Sequence, residues 1–364
     1  MVWRQCRRTS LGKIRKCRQC GVPLGVGRDL VWHGNGVITQ AKDPDHRMVF
    51  YESDFLDALF ADLGELTGMP IEPVVIESKR RMTRDYMERQ FTPFTRRIMH
   101  RLGPNLMSKR ISRMGRHYGY GDIRPDELRS RGDDDDYQVV SIRHPYSLLL
   151  FCGDTVGSKE AMDGREFKVS WEETGEHEYT VTFKVGEHPV QLPAAARRGV
   201  PTFKPGEMAF KRCASCGVPL GVSRSHWDLE AGVIHDPGTG RRMAIFSPDS
   251  IEVVLRDIEE ELGDDIAEMV IEDQRRYVRR MLGREDALMS WRNYREMAGL
   301  RGLGYVRDLD VGERHCRVLI ENPCLTLFMV GIIQAFFEMG TGHESLSRRW
   351  ETLPDGDLFV EISA

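Results

Sequence analysis

Two stretches of the chain carry the same pattern of apolar and polar positions. In "RMVFYESDFLDALFADLGELTG" (47–68) a strand-like apolar run gives way to a helical period, with Leu56, Leu59, Phe60 and Leu63 on one face. Ser53 or Asp54 is placed to cap that helix and Gly68 to stop it. "RMAIFSPDSIEVVLRDIEEELG" (242–263) repeats the pattern with Asp249, Ile251, Val254, Leu255, Ile258 and Gly263. Upstream of each lies a predicted β-hairpin: "LVWHGNGVI", with a Gly-Asn-Gly turn, and its weaker counterpart "DLEAGVI". Downstream of each come an arginine-rich helix, a further helix, a glycine-rich turn, a strand ending in His-Pro or Asn-Pro, another helix and closing strands such as "EYTVTFKV" and "DLFVEIS".

Letter-by-letter parallels extend the match. "CRQCGVPLGV" (17–26) agrees with "CASCGVPLGV" (213–222) at eight of ten positions. "VVIESKRRMTRDYM" (74–87) parallels "MVIEDQRRYVRRML" (269–282), "GYGD" (119–122) parallels "GLGY" (302–305), and Pro145 falls on Pro323. The offset is 196, then 195, then 178, so the first copy is longer, with "RSRGDDDDY" as a solvated loop. The reading is a tandem duplication: a basic tail at 1–16, repeat 1 at 17–190, a Pro/Gly-rich linker at 191–212 and repeat 2 at 213–364. Interspersed helices and short strands make the class α+β. Two copies of one domain are expected to pack as the protomers of a homodimer would, so the fold class is a pseudo-dimer of α+β domains with zinc-knuckle hairpins.

The repeated Cys-x-x-Cys brings in chemistry. One pair offers two thiolates, and a closed structural zinc site takes four ligands. Three completions compete. Cys17, Cys20, Cys213 and Cys216 can converge on one metal across the pseudo-twofold axis. Each pair can instead recruit local ligands, Cys6 and His33 in one copy and His226 and His235 in the other. Or the pairs can be redox dithiols or plain turns. The local histidines do not coincide between copies, because His33 falls opposite Leu229 and His235 opposite Thr39. A shared four-thiolate site is therefore preferred. Zinc is the expected occupant, and a rubredoxin-like iron would use the same ligands. Cys152, Cys316 and Cys324 lie in apolar surroundings and read as small buried hydrophobes.

Charge narrows the function classes. The net charge is −4, which gives no global attraction to nucleic acid or membrane. Locally, Lys79 to Arg116 carries twelve basic residues against two acids, and Arg275 to Arg307 nine against three. Arg80 with Arg84, and Arg275 with Arg279, each lie four apart on one helix face and form a candidate anion-binding set. The competing reading pairs them with nearby acids. Aromatic residues are sparse there and nucleic-acid motifs are lacking, so nucleic acid is not expected as a partner. The basic N-terminus has no apolar core of signal-peptide length, and "LTLFMVGIIQAFF" (325–337) is too short to span a bilayer. These features point to a cytoplasmic protein without a membrane partner.

The order strand, Asn-Pro, glycine-containing apolar helix, small-residue turn and two closing strands in "RVLIENPCLTLFMVGIIQAFFEMGTGHESLSRRWETLPDGDLFVEIS" resembles the 4-vinyl reductase domain family. The resemblance covers residues 285–363 and, more faintly, 98–185. It implies an α+β domain that encloses an apolar ligand and tends to dimerise, with zinc-ligating cysteines in the closing strands. Those strands carry no cysteine here. Tyr305, Phe328, Met329, Ile332 and Phe336 are the candidate pocket, and plain core packing is their alternative role. With no dinucleotide loop, P-loop or nucleophile–base pair, catalysis is left open. The expected function is a metal-stabilised, duplicated sensory or accessory protein that takes up a small apolar or anionic ligand and signals to a protein partner. The alternatives are a subunit of an enzyme complex, a tetrapyrrole-related reductase, and an electrostatic binder of nucleic acid or an acidic partner.

Overall fold

The computed structural model describes residues 2–4, 14–90, 104–193, 201–263, 265–283, 285 and 291–364. Cys6, most of the basic tail and part of the linker lie outside the described residues. The fold is mixed α+β, with antiparallel sheets throughout.

The first half contains β1 (Val2–Arg4), α1 (Leu24–Asp29), β2 (Leu30–Trp32), β3 (Ile38–Gln40), β4 (Asp43–Glu52), α2 (Asp54–Thr67), α3 (Glu72–Gln90) and α4 (Pro104–Tyr118). It closes with β5 (Asp122–Arg129), β6 (Tyr137–Arg143), α5 (Leu148–Asp163), β7 (Phe167–Gly175) and β8 (Glu178–Val185). The second half runs in the same order: β9 (His226–Asp228), β10 (Val233–His235), β11 (Arg242–Phe246), α6 (Pro248–Leu262), α7 (Ile266–Met281) and α8 (Tyr294–Arg301). Then come β12 (Tyr305–Val311), β13 (His315–Glu321), α9 (Thr326–Thr341), β14 (Ser347–Thr352) and β15 (Leu358–Ser363).

Each half contributes its own sheet, β1-β5-β6-β8-β7 and β12-β13-β15-β14. The third sheet, β2-β3-β4-β11-β10-β9, is built from both hairpins. Its central joint is antiparallel and pairs Phe50 with Ile245 and Val49 with Phe246. The sequence "RMVFYE" is apolar at successive positions because both faces of this joint are covered. Val49 and Tyr51 point into the main core, while Met48 and Phe50 join Trp32, Trp227 and Ile245 in a second cluster.

Several contacts between the halves come in matched pairs. Trp32 Nε1 donates to Leu300 O at 3.0 Å, and Trp227 Nε1 donates to His117 O at 3.1 Å. Gly304 N donates to Gly36 O, and Gly121 N to Gly232 O. Arg47 reaches the carbonyls of Asn322 and Pro323, and Arg242 those of His144 and Pro145. Lys16 donates to Trp227 O and Arg212 to Trp32 O. Helix α3 packs on α6 as α7 packs on α2. Gly36 and Gly232, both at positive φ, allow the closest approaches: a Cβ there would lie 2.1 Å from Gly304 O and 2.3 Å from Gly121 O, respectively.

Two local expectations change. Ser53 stands at the start of α2 without a side-chain cap, and Asp54 instead accepts from the Arg242 amide of the other half at 2.9 Å. The aspartate run is only partly solvated: Asp136 is buried and accepts from the amides of Arg131 and Gly132. Of the 191–212 linker, the described part is anchored through Lys204 and Met208 to the β2–β3 turn and to Asn322.

Candidate metal centre

Each Cys-x-x-Cys is a closed turn set by its own sequence. The Cys17 amide donates to Val22 O at 2.8 Å, and the Gly21 amide donates to Cys17 O at 2.9 Å. The second turn is the same, with Cys213 N to Val218 O at 2.9 Å and Gly217 N to Cys213 O at 2.9 Å. Gly21 at φ +78° and Gly217 at φ +76° take the left-handed conformation that closes the turn. A Cβ at either glycine would meet nothing, so a side chain there would be strained by the positive φ alone.

The reciprocal contacts bring the two turns face to face. All four sulfurs lie within 4.8 Å of one another. Cys17 Sγ is 3.7 Å from Cys213 Sγ, and Cys20 Sγ is 3.5 Å from Cys216 Sγ. A disulfide would need about 2.05 Å. Four thiolates around a metal at ~2.3 Å stand about 3.8 Å apart, which the observed separations approach. Cys17 and Cys213 are buried, while Cys20 and Cys216 are half-buried.

The thiols are not electrostatically equivalent. The amides of Cys20 and Gln19 hold Cys17 down to about 6. Burial pushes Cys20 up to about 12 and also raises Cys216. A cation at the centre would favour the thiolate at every position, so its binding releases protons. Gln19 spans the joint, with its Oε1 accepting from Ser215 N at 3.1 Å. The arrangement can hold one metal ion with a complete protein ligand set, leaving no coordination position for substrate.

Neither histidine group joins this cluster. His33 Nε2 bonds Thr39 Oγ1 at 2.8 Å, and His226 lies across from His235 on β9 and β10. Cys152, Cys316 and Cys324 are buried apart from the centre, and desolvation raises all three thiols, Cys316 and Cys324 to about 12.

The candidate anion-binding arginines face carboxylates. Arg80 bonds Glu77 at 2.6 Å and Glu160 at 2.5 Å, and Arg84 lies 3.1 Å from Glu88 and 3.6 Å from Glu160. Arg275 bonds Glu272 and Glu338, each at 2.8 Å, and Arg279 bonds Glu338 at 2.8 Å. An incoming anion would have to displace these partners. Glu160 and Glu338 were missed as site residues. Counting from Pro145 and Pro323 places them at equivalent helix positions, which marks a repeated acid but not its arginine partner.

In the candidate pocket, Phe328, Met329, Ile332 and Phe336 are buried in the main core and Tyr305 is half-buried. Ile332 and Phe336 line a cavity of about 10 Å³. Its other walls include Tyr51, Glu52, Arg241, Gln274 and Arg301, a polar group that the sequence reading did not single out.

Among the described residues, no helix is long and apolar enough to cross a membrane. No family model matches the chain, and searches of curated proteins and of solved structures find no match.

Proposed function

We propose that the chain is a tandem duplication folded as a pseudo-dimer and clasped by one structural zinc ion, and that it serves as a ligand-binding or accessory module. The observation that carries this is the convergence of four thiols from both copies within 4.8 Å. The matched pairs Trp32–Leu300 and Trp227–His117 support the duplication, because a pseudo-twofold axis makes contacts between equivalent residues occur twice. Four thiolates with no carboxylate favour zinc, with iron as the second occupant.

A closed four-thiolate centre stabilises and does not catalyse, so activity would have to come from a ligand or a partner. The 4-vinyl reductase resemblance supports a small-molecule role, in which case a bound pigment or apolar molecule would accompany the reductase alternative. The cavity beside Ile332 and Phe336 is too small for such a molecule in this conformation. That favours an accessory module, or a ligand much smaller than a tetrapyrrole.

Cobalt titration of metal-free protein tests the clasp. One equivalent should give the intense thiolate charge-transfer bands of a tetrahedral four-sulfur site. Native mass spectrometry and an absorption spectrum of freshly purified protein test the functional half. A colourless protein with one metal fits an accessory module, and a stoichiometric chromophore would move the assignment to the reductase.

A further inference from the structure

The basic residues divide into two kinds. Those of α3 and α7 face carboxylates, as Arg80 faces Glu160 and Arg275 faces Glu338. A second set surrounds the thiol centre. Residues 14–28 carry four Lys or Arg, 211–227 carry three and 109–118 carry four, with no Asp or Glu in any of these stretches. The whole chain, by contrast, has a net charge of −4. Some of these cations are engaged. Lys16 and Arg212 donate to backbone carbonyls of the opposite half, Arg28 pairs with Asp29, and Arg116 pairs with Asp122. Arg15, Arg18, Arg110, Arg113, Lys211 and Arg224 are exposed and have no carboxylate partner among the described residues.

The fold gathers this second set around the joint of the two turns. Arg15 and Lys211 each lie two residues before a cysteine of the centre, so their Cα atoms stand within about 7 Å of it along the chain. Arg18 directly follows Cys17. Arg15 and Lys211 hold matched places: their carbonyls accept from the amides of Leu24 and Leu220 at 3.0 and 2.7 Å. Arg28 and Arg224 are matched in the same way, at the ends of the short helical turns that follow the cysteines. Helix α4 joins the surface through His117, whose ring lies against Gly25; a Cβ there would be 2.3 Å from Nδ1. Arg113 and Arg110 precede His117 by four and seven residues, so they continue the same helix face away from the first turn.

A concentration of exposed, uncompensated cations attracts a polyanion. Trp32 and Trp227, the tryptophans of the two hairpins, are buried, so the hairpins present no indole for stacking on an unpaired base. Matched cations on either side of a twofold axis suit the two antiparallel backbones of a duplex, whose phosphates are engaged by charge and without regard to sequence. We propose that the surface around the thiol centre, extended along α4, binds the phosphate backbone of a nucleic-acid duplex without base readout. The inference depends on the two Cys-x-x-Cys turns meeting, as the pseudo-dimer reading has them, and adds a partner that this reading does not name.

The test is fluorescence anisotropy of labelled DNA and RNA duplexes of about 20 base pairs with the full chain as purified, between about 50 and 200 mM sodium chloride. Binding of either duplex, alike for unrelated sequences, is expected. Six phosphate contacts at ~0.9 each give a slope of log K against log salt of about −5, or roughly a thousandfold loss of affinity over that range. The combined variant Arg15→Ala/Arg18→Ala/Lys211→Ala/Arg224→Ala should bind at least about tenfold more weakly and bring the slope to about −2, with zinc content and Tm unchanged. Lys168→Ala/Lys184→Ala, which removes exposed lysines of β7 and β8, should change neither affinity nor slope. Phosphatidylserine vesicles complete the set, because Ile111 and Met114 are exposed beside Arg110 and Arg113 and a bilayer surface would accept both. No duplex binding at the lowest salt, duplex binding that the combined variant retains in full, or binding to vesicles alone overturns the proposal. Zinc content keeps the two readings apart. One zinc per chain without duplex binding sinks this proposal alone, and duplex binding by a chain that holds no zinc sinks the clasp alone.

Discussion

Replacing Glu160 by glutamine is the perturbation that best separates a structural arginine set from an anion site. The Glu160 side chain is fully buried and receives Arg80 at 2.5 Å, His188 at 2.6 Å and the Phe167 amide at 3.0 Å. Glutamine keeps the shape and removes the charge. Arg80, at 9% exposure, would retain only Glu77. Breaking a buried ion pair from one side costs on the order of 3–5 kcal/mol, and the remaining Glu77 contact puts this case at about 3 kcal/mol. For a 364-residue chain melting as one unit, an unfolding entropy of ~2.1 cal/mol/K per residue converts that to a Tm loss of about 4 °C.

The pH dependence has a definite sign. Burial would raise the Glu160 carboxyl, but His188, the Phe167 amide and Arg80 outweigh it and hold it below the ordinary glutamate value. A depressed folded-state value means the contribution is present above the unfolded pKa of about 4.3 and is lost as pH falls through the folded value. The gap between wild type and Glu160→Gln, read by differential scanning calorimetry, should therefore be full at pH 7 and shrink below about pH 4. Glu338→Gln should cost less, about 2 kcal/mol, because Arg279 is 40% exposed and better solvated. A Glu160→Gln protein that melts within 1 °C of wild type (about 1 kcal/mol or less) would refute the reasoning. So would one that binds phosphate no better than wild type yet gains stability.

Three further outcomes follow from the same geometry. Trp32→Phe and Trp227→Phe each remove one inter-half hydrogen bond, and each should cost about 1 kcal/mol in chemical denaturation; a large inequality would argue against a common axis. Half-buried Asp273 is pushed up to about 7 by burial and by the Asp62 carboxyl, against the pull of Arg276 and Arg280. A raised folded-state value means stability falls as pH rises between about 4 and 7, so Asp273→Asn should gain ~1–2 kcal/mol at pH 8 and little at pH 4. Gly36→Ala and Gly232→Ala should each destabilise by several kcal/mol in denaturant titrations, since a Cβ would meet backbone atoms of the other half.

The features legible in the sequence were those written twice. The Cys-x-x-Cys-Gly turns, the hairpins around Trp32 and Trp227 and the helices from Asp54 and Pro248 are local, so periodicity and turn residues disclose them. The shared thiol centre was legible too, because the histidines near each pair were out of register and the four cysteines were not. What stayed hidden is long-range. Arg80 finds Glu160 eighty residues away, and Glu52 finds Arg241 from the other half; no spacing rule foretells such partners. The capping role expected of Ser53 or Asp54 failed for a related reason, since Asp54 turns to an amide of the opposite half. The apolar helix 326–341 reads equally well as pocket wall or core, and only the space left beside Ile332 and Phe336 distinguishes these.

The central claim is that four cysteines from both halves hold one metal. Elemental analysis of purified wild type alongside the Cys213→Ser/Cys216→Ser double variant tests it most directly. One zinc per wild-type chain and none in the variant are expected, although Cys17 and Cys20 remain. Two metals per chain, no metal in wild type, or metal retained by the variant would contradict it.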